Sequence, residues 1–234
     1  MRHDIVLDGH GIRLVPLSPE HSAGLFDFVD PGMWAGMAAA MPATPAELAS
    51  LFASRLDDPA TLPFAVTDRR TGALLGTTSL REHVPAQQRL EVGGTFYGRQ
   101  FWGSHVNPAS KHMLLAYAFG GLGVRRVGFR CDARNTRSAA AIERLGARHE
   151  GTLRGHRTAP DGGRADTAVF SILAEEWPGV RAGLRRRLAP FDVGDSPVAA
   201  DRLSAAHAPG GQAPAAWHAR PPLAAAGVHG RARS

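Results

Sequence analysis

The sequence predicts one α/β (α+β) domain on a mixed sheet, and three observations carry the prediction. Strand-like and helix-like stretches alternate from the start to about residue 188. Hairpins stand toward both ends of that region, in "LPFAVTDRRTGALLGTTSLREH" and "RHEGTLRGHRTAPDGGRADTAVFSIL". Between them the strands are joined through helices, as in a sheet with helices packed on its faces.

Each element has a local cause. "HGIRLVPLS" reads as a strand, and Ser18 with Pro19 then opens a helix. Thr44 and Pro45 repeat the device, Glu47 completes a capping box, and Leu48, Leu51, Phe52 and Leu56 fall on one helical stripe. "QRLEVGGTFYG" is a strand with Leu90, Val92 and Phe96 on one face. Gly93 and Gly94 interrupt it, which suggests a bulge or a close backbone approach. A helix capped at Asn107 runs toward Gly121. "RRVGFRCD" alternates Val127, Phe129 and Cys131 as a buried strand face. Asn135 caps a short helix that Gly146 stops.

Length and composition narrow the function. The 234 residues, 44% of them apolar, suffice for one well-buried domain plus an extension. The single cysteine excludes an internal disulfide and fits a reducing compartment. No apolar run is long enough to span a membrane, and a soluble, cytoplasmic protein is expected. The domain is expected to cover residues 1–188. Residues 189–234, rich in Ala, Pro and Gly, are expected to be a disordered tail. The net charge of +6 includes Arg181, Arg185, Arg186 and Arg187 on one short stretch. A solvated helix face accounts for these as well as a nucleic-acid surface does.

The chemistry concentrates in "FWGSHVNPASK", residues 101–111, which carries the only lysine of the chain. A helix start presents unpaired N–H groups and a positive dipole end, so Gly103, Ser104, Asn107 and Lys111 are candidates to hold a phosphate. The broken strand before it and the second helix start at Asn135 place a crevice at neighbouring strand ends.

Over residues 9–180 the sequence resembles the GNAT superfamily of N-acetyltransferases, in the branch that includes ribosomal-protein N-terminal acetyltransferases. The resemblance rests on "LEVGGTFYGRQFWGSHVNPASKHMLLAYAF", on Asn135-x-x-Ser138 followed by "IERLGA" and "EGTLR", and on "RADTAVFSILAEEW". It implies a largely antiparallel sheet with a splayed central strand pair, and acetyl-CoA as co-substrate. The pantetheine would lie along Thr95, Phe96 and Tyr97, with the pyrophosphate on Trp102, Gly103, Ser104, Asn107 and Lys111. Asn135 and Ser138 would lie on the second helix. The loop departs from the superfamily pattern: His105 stands where a second glycine is usual, and Asn107 where a small residue is.

Acetyl transfer needs a neutral amine, a polarised thioester and a proton for the departing thiolate. Glu91 is the first candidate for base and His156 the second. Ser138 is a candidate proton donor or simply a first-turn helix residue. Trp34 resembles an aromatic near the acceptor pocket, and His83 is assigned beside it. Cys131 reads as a core residue, and no histidine spacing suggests a metal. The expected acceptor is a peptide N-terminus or a small amine, handled by a monomer or homodimer without membrane or nucleic acid. A CoA-sensing module without catalysis and a nucleic-acid-associated protein are the competing classes.

Overall fold

A computed structural model describes residues 3–159 and 162–192. Its eight-stranded sheet has the order β1 (Leu7–Gly9), β2 (Ile12–Pro16), β3 (Leu62–Asp68), β4 (Leu74–Val84), β5 (Arg89–Tyr97), β6 (Arg126–Asp132), β8 (Arg164–Leu173) and β7 (Arg148–Thr158). Every neighbouring pair is antiparallel except β5 and β6. Those two run parallel, and their register covers only Arg89–Glu91 against Arg126–Gly128. Beyond Glu91 they part, while β6 stays paired to β8 through Asp132. This is the splayed pair the sequence implied, and it opens a wedge in the middle of the sheet.

A bulge turns β5 within the wedge. Thr77 lies opposite Phe96 and Ser79 opposite Gly93, so Gly94 and Thr95 together face Thr78. Gly94 has φ +59°, a conformation that a side chain resists. The extra residue reverses the alternation of side chains. Leu90, Val92 and Tyr97 therefore enter one core and Phe96 enters the other, where an unbroken strand would have kept Phe96 with Leu90.

Helices cover both faces. On one, α1 (Ser22–Phe26), α2 (Pro31–Trp34) and α3 (Pro45–Asp57) bury Leu25, Trp34, Leu48 and Phe52 against Phe96. On the other, α4 (Val106–Ala116), α5 (Thr136–Glu143) and α6 (Trp177–Leu188) bury Val106, Leu114, Ile142 and Leu184. Thr44 caps α3 by accepting the Glu47 N–H at 3.2 Å, and Asn135 caps α5 by accepting the Ser138 N–H at 3.0 Å.

The start of α4 differs from the expected one. The helix begins at Val106, and Asn107 lies inside its first turn. The Ser104 hydroxyl accepts the Val106 N–H at 3.2 Å in the role assigned to Asn107. The C-terminal boundary also moves. A helical turn, Ala189–Phe191, follows α6, with Phe191 stacked on His105 at 4.1 Å and Asp192 hydrogen-bonded to His10 at 2.5 Å. The remainder of the expected tail, from residue 193, lies outside the described residues, as does the Pro160–Asp161 pair of the last hairpin. Among the described residues, no helix is long and apolar enough to cross a membrane.

Candidate active site

The wedge is flanked by two helix starts, those of α4 and α5. At α4, Gly103 is exposed with φ +76°, and a Cβ there would meet nothing within 4 Å. The N–H groups of Gly103, His105 and Asn107 have no acceptor among the described residues. Three donors thus remain for an anion, aided by the helix dipole. His105 has φ −71°, so glycine is not needed at this position. Its ring is stacked on Phe191. The departure from the superfamily loop is accommodated in this way.

A cleft of about 560 Å³ opens at α5, with Gly32 and Gly36 on one wall and Asp132, Arg134, Asn135 and Arg137 on the other. Asp132 is 3% exposed and bound by Arg134 at 2.8 Å and by Arg157. The Arg134 hydrogen bond, working against burial, holds the Asp132 carboxyl below its usual range. Arg157 also donates to the Met37 carbonyl at 3.1 Å, tying the loop after α2 to the end of β6. Arg137 lies 3.4 Å over the Trp102 ring and Arg99 4.7 Å from it. Arg99 is in turn paired with Asp30, which is held well below the usual carboxylate range.

Of the assigned residues, Glu91 and Thr95 lie on β5, Gly103, Ser104 and Asn107 at the start of α4, and Asn135 and Ser138 at the start of α5. Glu91 ends the paired stretch of β5, half-buried, with its carboxylate 2.8 Å from Arg130 Nε. Gly128 admits it, because a Cβ there would lie 3.1 Å from Glu91 Cγ. Ser138 is half-buried in the first turn of α5, and burial pushes the nearby Cys131 thiol up, with Ser138 working against it.

Other assignments are corrected. Lys111 is 5% exposed and points into the fold, where Nζ donates to the Thr78 and Thr95 hydroxyls, each at 2.7 Å. It is turned away from the phosphate loop. Trp34 is 1% exposed, gives its indole N–H to the Ala39 carbonyl at 2.8 Å and packs against Phe96, and it does not line the cleft at α5. Phe96 and Tyr97 are buried, the Tyr97 hydroxyl lying 2.5 Å from Ser110, and only their backbones can face a ligand. The Trp102 ring is covered by Arg137 and Arg99, and its N–H is given to the Tyr97 carbonyl. His83, on β4, faces the paired end of β5 and does not line the cleft. His156 is exposed on the edge strand, 3.1 Å from the Thr167 hydroxyl and separated from β5 by β6 and β8.

Asp132, Arg134, Arg137 and Arg157 were not singled out from the sequence. Asp132 carries a readable signal, since it ends a strand three residues before a helix cap. Arg157 has none, because a bulge in β7 determines where it points.

A parted strand pair, a bulge at the wedge and two helix starts beside it are the arrangement that the resemblance to the N-acetyltransferases implies. Residues 12–148 match the family described as acetyltransferase (GNAT) domain, and the chain belongs to that family. The family's reaction is transfer of an acetyl group from acetyl-CoA to an amine. YdaF of Bacillus subtilis (strain 168), which carries the name of a ribosomal N-acetyltransferase, is 31% identical over 108 residues. That stretch covers 46% of this chain and 58% of YdaF, less than two thirds of the relative's length. A GCN5-related N-acetyltransferase from Brucella melitensis superposes with a TM-score of 0.74 at 30% identity, covering 80% of this chain and 86% of that one. Mycobacterium smegmatis RimJ, solved in complex with CoA-disulfide, shares the fold at a TM-score of 0.65 and 19% identity, over 80% of this chain and 93% of its own.

Proposed function

We propose that this protein acetylates the N-terminal amine of a polypeptide, with acetyl-CoA bound in the wedge between β5 and β6. The observation that carries the proposal is the parting of these strands after Glu91, with the bulge at Gly94–Thr95 inside the opening. Acetyl-CoA supplies the activated acyl group. Gly103, His105 and Asn107 would hold its pyrophosphate through backbone N–H groups, and Asn135 would bind the pantetheine from α5. The bulge backbone would polarise the thioester carbonyl.

The acceptor enters through the cleft between Gly32–Gly36 and Asp132–Arg137. An N-terminal amine titrates near pH 8, so a modest base suffices to free its lone pair. Glu91 fills that role at the apex of the wedge. Ser138, at the first turn of α5, is the group that passes a proton to the departing sulfur. The polypeptide acceptor is favoured over a small amine by the similarity to YdaF. The expected cytoplasmic setting belongs to the same proposal.

The test is release of free CoA thiol across a panel of peptides with varied N-terminal residues and a panel of small amines. Turnover with peptides that disappears when their N-termini are blocked supports the proposal. Turnover with small amines alone, or thioester binding without turnover, overturns it.

A further inference from the structure

The only lysine of the chain is buried without a carboxylate. Lys111 reaches from α4 to the bulge of β5, where its Nζ and the Oγ1 atoms of Thr78 and Thr95 form a triangle with sides of 2.7, 2.7 and 2.8 Å. Thr95 faces on to the Gly93 carbonyl at 3.4 Å, so the triangle braces both ends of the bulge. The opposite face of β5 is gripped by Arg55 of α3, whose NH1 donates to the Gly94 carbonyl at 3.3 Å. Gly93 and Gly94 leave space for arginines there: a Cβ on Gly93 would lie 2.9 Å from Arg81, and one on Gly94 would lie 3.6 Å from Arg55. Neither Lys111 nor Arg55 has an ion-pair partner among the described residues. Glu82 of β4 and Glu91 of β5 are held by Arg130. The remaining titratable neighbours are Tyr97, bound to Ser110, and His112, turned to His10.

A buried, unpaired cation is costly unless something else requires it. Burial pulls the Lys111 ammonium down to about 7, so its charge is held against a real penalty. A methionine would fill the same space without that penalty. The position of the charge, directly behind the bulge, supplies the reason.

We propose that Lys111 is a positioning residue for acyl transfer: its ammonium, anchored on Thr78 and Thr95, fixes the bulge where β5 leaves β6 and stabilises negative charge developing on the thioester oxygen bound there. The inference rests on the proposed function. In the transfer, the amine nitrogen bonds to the acyl carbon, the carbon–sulfur bond breaks, and the amine's proton ends on the departing sulfur. Lys111 exchanges no proton with the substrates and acts, in its protonated form, through the bulge and its field. Arginine would not substitute, because a guanidinium cannot fit a site shaped for a compact ammonium between two hydroxyls.

A single lysine makes the test direct. Protein labelled at lysine with carbon-13 gives one side-chain signal, which is followed during a titration with acetyl-CoA while calorimetry records binding. The signal is expected to move as the site fills. Lys111→Met is expected to leave the KM for acetyl-CoA within about 3-fold and to lower kcat by roughly 10-fold or more. Thr95→Val is expected to lower kcat similarly, with little further loss in the double variant. Binding by calorimetry with a stationary lysine signal overturns the inference while leaving the proposed function standing. Absence of acetyl-CoA binding overturns both. A folded Lys111→Met with parental kcat overturns the lysine's role, and if that variant does not fold, the parent's lysine signal decides.

Discussion

Asn135 joins the stability of α5 to the cleft, and its two side-chain atoms can be separated by substitution. Its Oδ1 accepts the Ser138 N–H at 3.0 Å, while its Nδ2 lies so near Gly36 that a Cβ there would approach to 2.5 Å. Asn135→Ala removes the cap and is expected to cost about 1 kcal/mol. For a domain of this size that lowers the melting temperature by roughly 2–4 °C. Asn135→Asp keeps the acceptor and adds a charge that suits a helix start, so stability should stay within about 0.5 kcal/mol of the parent. It deletes the amide donor at the cleft, and one lost hydrogen bond corresponds to about 1 kcal/mol, or roughly 5-fold in CoA affinity. Thermal melts and CoA calorimetry on the three proteins measure both quantities. An Asp variant that binds CoA as the parent does, or an Ala variant that melts with the parent, would refute the reasoning.

Three further outcomes are expected. Gly94→Ala forces a side chain into φ +59° against Ser79 Oγ at 3.3 Å and should lower stability by about 1 kcal/mol in urea; an unchanged midpoint would show that the bulge relaxes freely. Glu150 is held down to about 2 by its hydrogen bonds to Arg126, so their contribution is present above the usual glutamate range near 4.5 and is lost as pH falls toward 2. Melting of Arg126→Gln should therefore fall below the parent at neutral pH and converge with it in acid, and a gap independent of pH would contradict the pairing. Phe191→Ala removes the ring stacked on His105 and should cost about 1 kcal/mol, whereas an unchanged melt would show that the C-terminal turn carries no stability.

The sequence made much of the frame legible because its signals are local. Thr44 and Asn135 cap helices through contacts three residues away, and the Gly93–Gly94 pair marked a bulge without knowledge of its partner strand. What escaped was decided at a distance. In α4, Ser110, Lys111 and His112 are all buried in succession, because the helix is enclosed by the sheet, the β1–β2 hairpin and α6. No helical period reveals that, so Lys111 read as a surface charge near a phosphate. Its being the only lysine among 27 basic residues was the available clue, since lysine tolerates burial by surrendering charge where arginine does not. Trp34 was misplaced for a related reason. Its indole partner is the Ala39 carbonyl, in a turn whose shape no pattern in the sequence announces. The His105 substitution looked obstructive until Phe191, 86 positions away, gave its ring a place to rest.

The central claim is that acetyl passes from the thioester to an amine within this wedge. It is tested most directly by mass spectrometry of an unblocked peptide incubated with the protein and isotopically labelled acetyl-CoA. The account predicts one labelled acetyl group on the peptide's N-terminal nitrogen, formed with the parent protein and much more slowly with Glu91→Gln. Peptide that stays unlabelled while acetyl-CoA is bound or hydrolysed would contradict it.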